Sequence, residues 1–490
     1  MYFANHKLKL CLLFLIALQI ISCGKAHKQR GDLHKAVKKA VVIKSCRDCH
    51  AVTLDQSHAI PCVVCHKGRS MAANQKDAHR GMIAAPADPD NMRICGKCHP
   101  VIVANAGKTR HFTLDKAVNM VRQSFGAKKI SSLLQIPPVN KPLTALNLVD
   151  DLLRRRCLRC HPYYRGDPYP ATRHGTGCAV CHLAYDNGKL ISHKFIRPGD
   201  KQCLSCHYGN FVGADYYGRF EHNFNWEYRT PFTANDDDLK VRPYGIRFQQ
   251  LTPDIHQKHG MACIDCHSGR ELMGGNGRTK ITCSVCHFYK ANGPHPANLR
   301  FVGGKLWLKT VKGKTLLVPQ AVNPAHKYVK TAACQVCHAQ WSFNDEGVYL
   351  LRQDSDDFEE WAPLTRQGDF EVEKELEASI FQDNLPDGPQ MTDKISGQNK
   401  AGIWLKSYRL RRWEPVRICR DSNNILQVCR PIMDLYLSYT DTKGKVIFAN
   451  ITPAKKYARF RPYTPHTTGR AGIFFRQRLH QNLYKGHNSS

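Results

Sequence analysis

The chain has 490 residues, of which 22 are cysteines and 25 are histidines, and its formal net charge is +32. This length is enough for several domains, and the cysteine content far exceeds ordinary usage, so the thiols need a chemical role. Because no segment after the N-terminus approaches eighteen consecutive apolar residues, the sequence excludes a protein with several membrane-spanning helices.

Residues 1–22 have the pattern of an export signal. Lys7 and Lys9 precede the apolar run "LCLLFLIALQII", which is too short to span a bilayer. The end of this segment, "LQIISC", resembles a bacterial lipobox, which implies that Cys23 becomes a lipid-anchored N-terminus in the cell envelope of a Gram-negative bacterium. Gly24 follows, and in the enterobacterial sorting rule this favours the outer membrane, on either its periplasmic or its surface face. Ordinary signal-peptidase cleavage nearby is the alternative. Residues 23–45 form a basic leader.

The motif Cys-x-x-Cys-His then recurs nine times. Chance would produce about 0.05 copies, and the spacing is that of c-type haem attachment. Two thiols one helical turn apart bond the vinyl groups of a haem, and the next histidine binds its iron. The sequence therefore predicts nine haem c groups. The residues of the nine copies are Cys46, Cys49 and His50; Cys62, Cys65 and His66; Cys95, Cys98 and His99; Cys157, Cys160 and His161; Cys178, Cys181 and His182; Cys203, Cys206 and His207; Cys263, Cys266 and His267; Cys283, Cys286 and His287; and Cys334, Cys337 and His338.

Two other uses of paired cysteines fit the pattern less well. A zinc site needs four ligands from two knuckles and gives no reason for a histidine after every second cysteine. A thioredoxin-like pair normally occurs once, near a βαβ pattern that this chain lacks. Nine haems bring about eighteen propionates, which, with the signal segment removed, lower the net charge to roughly +12. The basic excess is therefore expected to pair with propionates, and we expect no nucleic-acid partner.

The motifs fall into three groups of three, in residues 46–111, 157–225 and 226–338. At this density an aliphatic core has little room, so the predicted fold of this region is mostly α and irregular, with little regular secondary structure. Residues 112–156 are predicted as a helical spacer, and a β-hairpin insertion is predicted near residues 300–318.

Lone histidines alternate with the motifs in the first two groups. A second imidazole closes the remaining face of a haem iron and lowers its reduction potential, so we expect these residues to be second axial ligands, often of a haem other than the nearest in sequence. A surface position or a bond to a propionate is the alternative for each. His256 and His259 compete for one role, and His259 is preferred; His27 and His34 are weaker candidates. The predicted second ligands are His58, His79, His111, His174, His193, His222, His259, His295 and His326.

The spacer and the insertion carry local structural signals. The stretch "TLDKAVNMVRQSFG" predicts a helix capped by Thr113, with Gly126 just past its end, and "TALNLVDDLLRRRC" predicts a second helix capped by Thr144. The stretch "KLWLKTVKGKTLLVP" predicts a β-hairpin that turns at Lys312 and Gly313.

Residues 339–490 carry no motif and are predicted as a smaller α+β domain. An acidic part contains the helix-like stretch "DFEVEKELEASIF", and the following strands "PVRICR", "QVCRPIMDLYLSYTD" and "KVIFANI" predict a β-meander that turns at Asn423–Asn424 and at Lys443–Gly444. Cys419 and Cys429 flank the first of these turns, so a disulfide is expected, with two buried free thiols as the alternative.

The stretches "WSFNDEGVYLLRQD", "LRRWEP" and "PYTPHTTGRAG" resemble the terminal region of large multihaem cytochromes c from metal-reducing bacteria. Together with the nine motifs, this resemblance implies an electron-transfer cytochrome, with other redox proteins or a porin-like outer-membrane conduit as partners. A further motif follows the Pro-His-Thr-Thr run in those relatives, but here no cysteine follows, which leaves the role of His466 open.

Two other functions are compatible with the same haem chemistry. A multihaem reductase of the nitrite, hydroxylamine or tetrathionate type keeps one iron open for substrate. Such enzymes often have one odd attachment motif, whereas all nine motifs here are regular. A subunit of a cytochrome filament is the third reading. Conduction is favoured, so no catalytic residue is predicted and the chain is more plausibly a carrier than an enzyme.

Overall fold

The structure is a computed structural model, and it describes most of the chain after residue 43. The described ranges are 44–167, 172–208, 210–221, 248–274, 281–293, 295–322, 324–357, 388–412, 416–455, 460–472 and 474–484. Residues 44–490 form one compact unit. The predictions that lie outside the described ranges concern the signal segment, Cys23, His27, His34, His222 and the helix-like stretch at residues 369–381. Within the described ranges, no helix is long and apolar enough to cross a membrane.

Helix and strand are both present, and the strands form small sheets. The motif-bearing region consists mainly of helices of four to eight residues that are joined by irregular segments. Its α-helices are Cys46–Cys49, Cys62–His66, Gln75–Ala78, Arg93–Gly96, Pro100–Ala106, Arg110–Thr113, Ala179–His182, Asp200–His207, Val212–Tyr217, Ile255–Lys258, Cys263–Cys266, Gly269–Leu272, Cys283–His287 and Cys334–His338, and its 3₁₀ turns are Gln56–His58, Pro89–Asn91, Cys157–Arg159 and Pro324–Lys330.

Strands in this region pair only in small antiparallel sets among the described residues. The pairs are Lys44–Ser45 with Met71–Ala72, Ala184–Asp186 with Lys189–Ser192, and Arg219–Glu221 with Phe248–Gln250. The predicted hairpin is present: Lys305–Lys309 pairs with Thr315–Leu317, and Gly313 adopts φ +85°, which suits a glycine in the turn. Leu299–Val302 adds a third strand to it.

The two longer helices of the spacer, Asp115–Ser124 and Ala145–Arg155, are called the spacer helices here. The second starts as predicted, because the Thr144 hydroxyl accepts a hydrogen bond from the Asn147 N–H at 3.1 Å. The first starts later than predicted. Thr113 is the last residue of the preceding short helix, and Leu114, at φ +45°, breaks the chain direction between the two helices. The 3₁₀ turn Leu133–Gln135 lies between the spacer helices.

Among the described residues after 343, the strands form three sheets rather than one meander. A four-stranded sheet, called the large sheet here, has the order Ile403–Arg412, Asn344–Gln353, Leu435–Thr440, Val446–Ile451. A separate sheet contains Arg417–Arg420, Leu426–Pro431 and Phe460–Pro462; a two-stranded ribbon joins Gln390–Thr392 to Asn399–Ala401; and the helix Phe475–Tyr484 follows.

The predicted turns are present, and each joins two paired strands of one sheet, but the two hairpins belong to different sheets. Asn424 and Gly444 both adopt positive φ in tight turns. The stretch predicted as one middle strand is divided: Leu426–Pro431 pairs with Arg417–Arg420 in the small sheet, whereas Leu435–Thr440 pairs in parallel with Asn344–Gln353 in the large sheet. Within the hairpin at Asn424, Cys419 and Cys429 form a disulfide with a Cα–Cα distance of 5.9 Å.

The spacer helices and the large sheet share one hydrophobic core. Leu148 and Leu152 of the second spacer helix are at most 1% exposed, as are Trp404 and Leu437 of the sheet. A buried ion pair crosses the same interface, with Arg352 Nη1 3.1 Å from Asp151 Oδ2, and another joins the second spacer helix to the ribbon, with Arg154 Nε 2.7 Å from Asp393 Oδ2. The segments predicted as a spacer and as a C-terminal domain are therefore packed together as one body.

Candidate metal centres of paired histidines

The nine motifs place their residues on short turns of helix. A backbone hydrogen bond from the histidine N–H to the first cysteine carbonyl closes the turn in, for example, the motifs at Cys46 and Cys263, both at 2.9 Å. This geometry puts the two thiols on one side of the turn with the imidazole beside them. All eighteen motif cysteines lie in the described ranges and carry free thiols. They are therefore available for thioether bonds.

Six motif histidines each face one lone histidine. In every pair one ring comes from a Cys-x-x-Cys-His motif and the other from outside the motifs. The pairs and their centroid distances are His50 with His79 (5.9 Å), His99 with His58 (6.3 Å), His66 with His193 (6.1 Å), His207 with His111 (6.1 Å), His287 with His256 (6.0 Å) and His338 with His326 (6.2 Å).

The distances vary little, whereas the angles between the ring planes range from 9° to 87°. Aromatic rings that simply pack together have centroids about 4.5 to 7 Å apart, and nearly parallel rings approach most closely. Here His326 and His338 are nearly parallel yet 6.2 Å apart, while the stacked rings of His58 and Phe195 are 4.3 Å apart. Two imidazoles bound to one metal at about 2 Å from each nitrogen have centroids about 6 Å apart and rotate freely about the common axis. The pairs fit this second description.

Nδ1 is hydrogen-bonded to a carbonyl or carboxylate in several of these histidines and in two further motif histidines, His182 and His267. When Nδ1–H donates to a carbonyl or carboxylate, the lone pair of the neutral ring is on Nε2, which is then the metal ligand. Among motif histidines the Nδ1 acceptors are Ile83 O for His66 (3.0 Å), Ile196 O for His182 (3.2 Å), Glu271 Oε2 for His267 (3.2 Å), Pro319 O for His287 (2.8 Å) and Gly469 O for His338 (2.8 Å). Among lone histidines, His58 has Asp55 Oδ1 (2.9 Å) and His256 has Asp254 Oδ1 (2.8 Å).

Each histidine pair offers only two protein ligands, which suits a metal whose remaining ligands do not come from protein side chains. Within the described ranges, no group of three or more Cys, His, Asp or Glu side chains converges as a metal site. Structural zinc needs four such ligands. A haem iron takes four nitrogens from the porphyrin and two ligands from the protein, as the histidine pairs can provide. The residues present therefore fit haem.

Several predicted second ligands are not in such pairs. His222 lies outside the described residues. His295 is exposed, its Nδ1 lies 3.2 Å from Pro296 O, and its ring is closest to Tyr289. His174 is buried, and its Nε2 lies 3.8 Å from the Cys206 sulfur. His259 ends the helix Ile255–Lys258 and has no ring partner among the described residues.

His256, and not the preferred His259, faces His287. Asp254 Oδ1 accepts from both the backbone N–H and Nδ1 of His256, each at 2.8 Å, and so fixes the ring. Asp55 does the same for His58, with Nδ1 at 2.9 Å. An aspartate two or three residues before a lone histidine was therefore the sequence signal that distinguishes His256 from His259.

His466, whose role the sequence leaves open, is partly buried, and its Nδ1 is shielded from solvent. Its buried Nδ1 has no hydrogen-bond partner in the part of the chain that the structure describes. Burial, followed by the nearby His267, lowers the pKa of His466 to about 4. The backbone just after His466 helps to position two other histidines. Gly469 O is the hydrogen-bond partner of His338 Nδ1, and the Thr468 N–H donates at 2.7 Å to Asp254, the residue that fixes His256. His466 thus lies near His267 as a neutral imidazole.

Thiols of different motifs approach one another in a fixed order, called the thiol line here. Hydrogen bonds join the thiols of Cys95 and Cys178, of Cys203 and Cys263, and of Cys334 and Cys283. In each of these pairs the bond lowers the pKa of the thiol named first and raises the pKa of its partner. The remaining steps are close enough for the thiol charges to interact: Cys65 with Cys95, Cys181 with Cys203, and Cys266 with Cys286. The line therefore runs through the motifs that begin at Cys62, Cys95, Cys178, Cys203, Cys263, Cys283 and Cys334.

The motif at Cys157 is not a step of this line. Its Cys160 thiol hydrogen-bonds to that of Cys206, beside the motif that begins at Cys203. The turn Cys157–Arg159 is 3₁₀ and contains Leu158 at φ −86° and ψ 38°, which is not helical. The other eight motifs each include α-helical residues. This difference is invisible in the regular sequence of the motif.

Comparison with known proteins provides no relative for this chain. No protein-family model, no curated protein and no solved structure matches it. Its function therefore has to be inferred from the histidine pairs and from the order of the thiols.

Proposed function

We propose that this protein is an exported c-type cytochrome with nine haems, which conducts electrons along a row of closely spaced haems that are mainly ligated by two histidines. The observation that carries the proposal is the set of six histidine pairs with centroids 5.9 to 6.3 Å apart and freely varying ring angles. Haem supplies the one-electron chemistry, and the chain supplies its attachment, ligation and spacing.

The residues of each paired site have separate tasks. The two cysteines hold the group covalently, and the motif histidine and the lone histidine bind the iron from opposite sides. Carbonyl and carboxylate acceptors at Nδ1, such as Pro319 O for His287 and Asp254 for His256, fix each ring and make Nε2 a better ligand. Because both axial positions are filled, an electron enters and leaves without exchange of ligands, and the reduction potential is low.

The thiol line supports conduction rather than storage at isolated sites. Hydrogen-bonded thiols such as Cys95 and Cys178 belong to different motifs, so the groups attached there are neighbours. The first motif adjoins the same row, since its His50 lies close enough to affect His193, the partner of His66. An electron that enters at one end of the row therefore has a neighbouring site at each step.

The location and partners in this proposal come from the sequence. A lipid on Cys23 would hold the protein at a membrane surface of the Gram-negative envelope, where haem attachment takes place on exported chains. The partners would be other cytochromes or a porin-like conduit, with an extracellular acceptor at the end of the route. Labelling with a radioactive fatty acid tests the anchor, and Cys23→Ser should abolish the label.

Mass spectrometry and electron paramagnetic resonance (EPR) of the purified protein test the haem content and ligation. The expected result is the added mass of nine haems and low-spin signals from the paired sites. His193→Ala should convert one low-spin iron to a high-spin iron, because the substitution removes the histidine that faces His66. His295→Ala is the matched control, since that exposed ring does not face a motif histidine. A mature protein without haem mass would contradict the proposal.

A further inference from the structure

One face of a small antiparallel sheet is buried against the motif-bearing region. This sheet, called the hairpin sheet here, consists of the strands Leu299–Val302, Lys305–Lys309 and Thr315–Leu317. On its inner face, Leu306 and Leu308 are at most 4% exposed, and Cys266 and Cys286 pack against the cluster to which they belong. The inner face therefore contacts cysteines of two successive Cys-x-x-Cys-His motifs.

The segment that follows the last strand is bonded to the second of these motifs. The Gln320 side-chain amide donates to Cys286 O at 3.0 Å. Pro319 O lies 2.8 Å from Nδ1 of His287, the ring that faces His256. The hairpin sheet thus supports one side of this paired site, and the thickness of one sheet separates the motif from the opposite face of the sheet.

That opposite face, called the outer face here, has an apolar centre and a cationic rim. Trp307 is half-buried at its centre, between Arg300 on one neighbouring strand and Leu317 on the other, and Leu317 is 52% exposed. Lys305 and Lys309 share this face with Trp307, because side chains two residues apart in a strand point the same way, and both lysines are exposed. A tryptophan and an arginine within a polar rim are typical of surfaces that dock proteins.

The stretch of sequence that contains the hairpin sheet is free of acidic residues. Residues 272–344 include ten lysines and arginines but no aspartate or glutamate. The two motifs in this stretch would add about four propionates, which leaves a net charge of roughly +6. Arg300, Lys305 and Lys309 form no ion pair with a carboxylate among the residues that the structure describes. Their charges are therefore available to a partner, and a positive surface selects a negative one.

We infer that the outer face docks an acidic redox protein, with Trp307 as the apolar anchor and the three cations around it as the partners of its carboxylates. The inference rests on the proposed function, because it needs a paired site beneath the sheet that exchanges electrons. Each encounter moves one electron, so one protein is oxidised and the other is reduced by one electron, and no further reactant is required. The position of the face over the His287 site favours a redox protein over the other source of dense negative charge, an anionic lipid surface.

The test is the reduction of the complete, mature protein by reduced flavodoxin, an acidic one-electron donor, followed by stopped-flow absorbance. Lys305→Glu/Lys309→Glu reverses two charges of the outer face. Lys443→Glu/Lys445→Glu is the matched control, because it makes the same change of charge at two exposed lysines between strands of the large sheet. At low salt the first variant should react at least about tenfold more slowly than the wild type, and the control should lose less than about twofold. Equal rates in the two variants would overturn the inference.

Two further measurements distinguish the other outcomes. Carbodiimide cross-linking of the wild type to flavodoxin should join Lys305 or Lys309 to its carboxylates; cross-links confined to other lysines would overturn the inference, and this result decides it if a variant fails to fold. Vesicles of phosphatidylglycerol and phosphatidylethanolamine test the lipid alternative. If Lys305→Glu/Lys309→Glu loses vesicle binding but keeps the wild-type rate with flavodoxin, the face binds lipid and the inference is overturned. Any of these results with nine attached haems leaves the conduction proposal intact, whereas a mature protein without attached haem would overturn that proposal instead.

Discussion

The motif-bearing segments and the body formed by the spacer helices and the large sheet are stabilised in different ways. Fifteen buried residues form the core of that body, including Leu148 and Trp404. In the motif-bearing segments the described clusters are small, such as the three buried residues Leu204, Tyr208 and Ala214. Separate clusters of three to five buried side chains offset only part of the conformational entropy of the many ordered residues around them. In the proposed cytochrome, haem attachment and ligation would hold the motif-bearing segments, whereas the body has a hydrophobic core of its own.

This contrast also explains where the polar groups are buried. In the body, Arg352 and Asp151 lie 3.1 Å apart at 1% exposure, and Arg122 and Asp150 lie 2.7 Å apart. Such pairs are tolerated only where surrounding packing fixes both partners. In the motif-bearing segments, polar contacts such as Asp254 with His256 orient single imidazoles. The body thus uses its buried charges for structure, whereas in the motif-bearing segments the polar groups orient histidines that would bind iron under the proposed function.

Production of the chain without haem attachment should separate the two regions most clearly. Expression in a host that lacks the attachment machinery is expected to leave the motif-bearing segments unprotected against hydrogen exchange, because their stabilising bonds are missing. The helix Ala145–Arg155 and the strand Asn344–Gln353 should keep protection at least about 100-fold higher than the helix Cys334–His338. Equal protection across the chain would show that the two regions depend on haem alike.

Trp404→Ala should have the largest effect of a single substitution in the body. Trp404 is 0% exposed, and its Nε1 donates to Asp151 Oδ2 at 2.8 Å, so truncation leaves a large cavity and an unbonded carboxylate. We expect a loss of about 3–5 kcal/mol in the free energy of unfolding. The measurement is urea unfolding followed by the circular dichroism of the backbone, which does not depend on the removed tryptophan. Trp307→Ala, in the small hairpin sheet, is the control and should cost less, since Trp307 is only half-buried. Equal losses would contradict the assignment of the main core.

The sequence predicted features that depend on neighbouring residues. The helix after Thr144 has a hydroxyl cap and an apolar stripe within a few residues, and the turn at Gly313 requires only its own backbone. In contrast, the parallel pairing of Asn344–Gln353 with Leu435–Thr440 depends on contacts between distant segments, which strand patterns do not encode. Local sequence signals therefore predict where helices, turns and strands lie along the chain, but not which strands pair with each other.

The same limit applies to the candidate site. The motifs identify the thiols and one imidazole each, because their chemistry requires adjacent residues. The choice of facing histidine is a tertiary contact: His58 lies between the first two motifs yet faces His99 of the third. Likewise, the His161 Nε2 lies 3.1 Å from the carbonyl oxygen of Lys394, far away in the chain, and the regular motif does not indicate this contact.

Removal of the disulfide tests the small C-terminal sheet, which lies apart from the main core cluster. Cys419→Ser/Cys429→Ser opens a loop with a sequence separation of 10, and the expected loss is about 2–3 kcal/mol in unfolding free energy. The measurement is thermal unfolding of the wild type and the variant, each with and without a thiol reductant. The reductant should lower the stability of the wild type and leave the variant unchanged. A variant that matches the oxidised wild type would show that burial alone holds this hairpin.

Asp215→Asn should have the smallest effect near pH 4, and an effect that grows as the pH rises. Asp215 is 0% exposed and accepts a hydrogen bond from the Tyr463 hydroxyl, and burial raises its pKa from 3.8 to about 7. The folded state therefore binds a proton more tightly than the unfolded state, so this contribution to stability is complete below about pH 4 and is lost as the pH rises to about 7, at about 1 kcal/mol per pH unit. Asn cannot ionise, so the variant should lack this slope when hydrogen exchange of the helix Val212–Tyr217 is followed from pH 4 to pH 7. The exposed Asp186→Asn is the control and should keep the slope of the wild type, and an unchanged slope in Asp215→Asn would mean that this carboxyl titrates alike in both states.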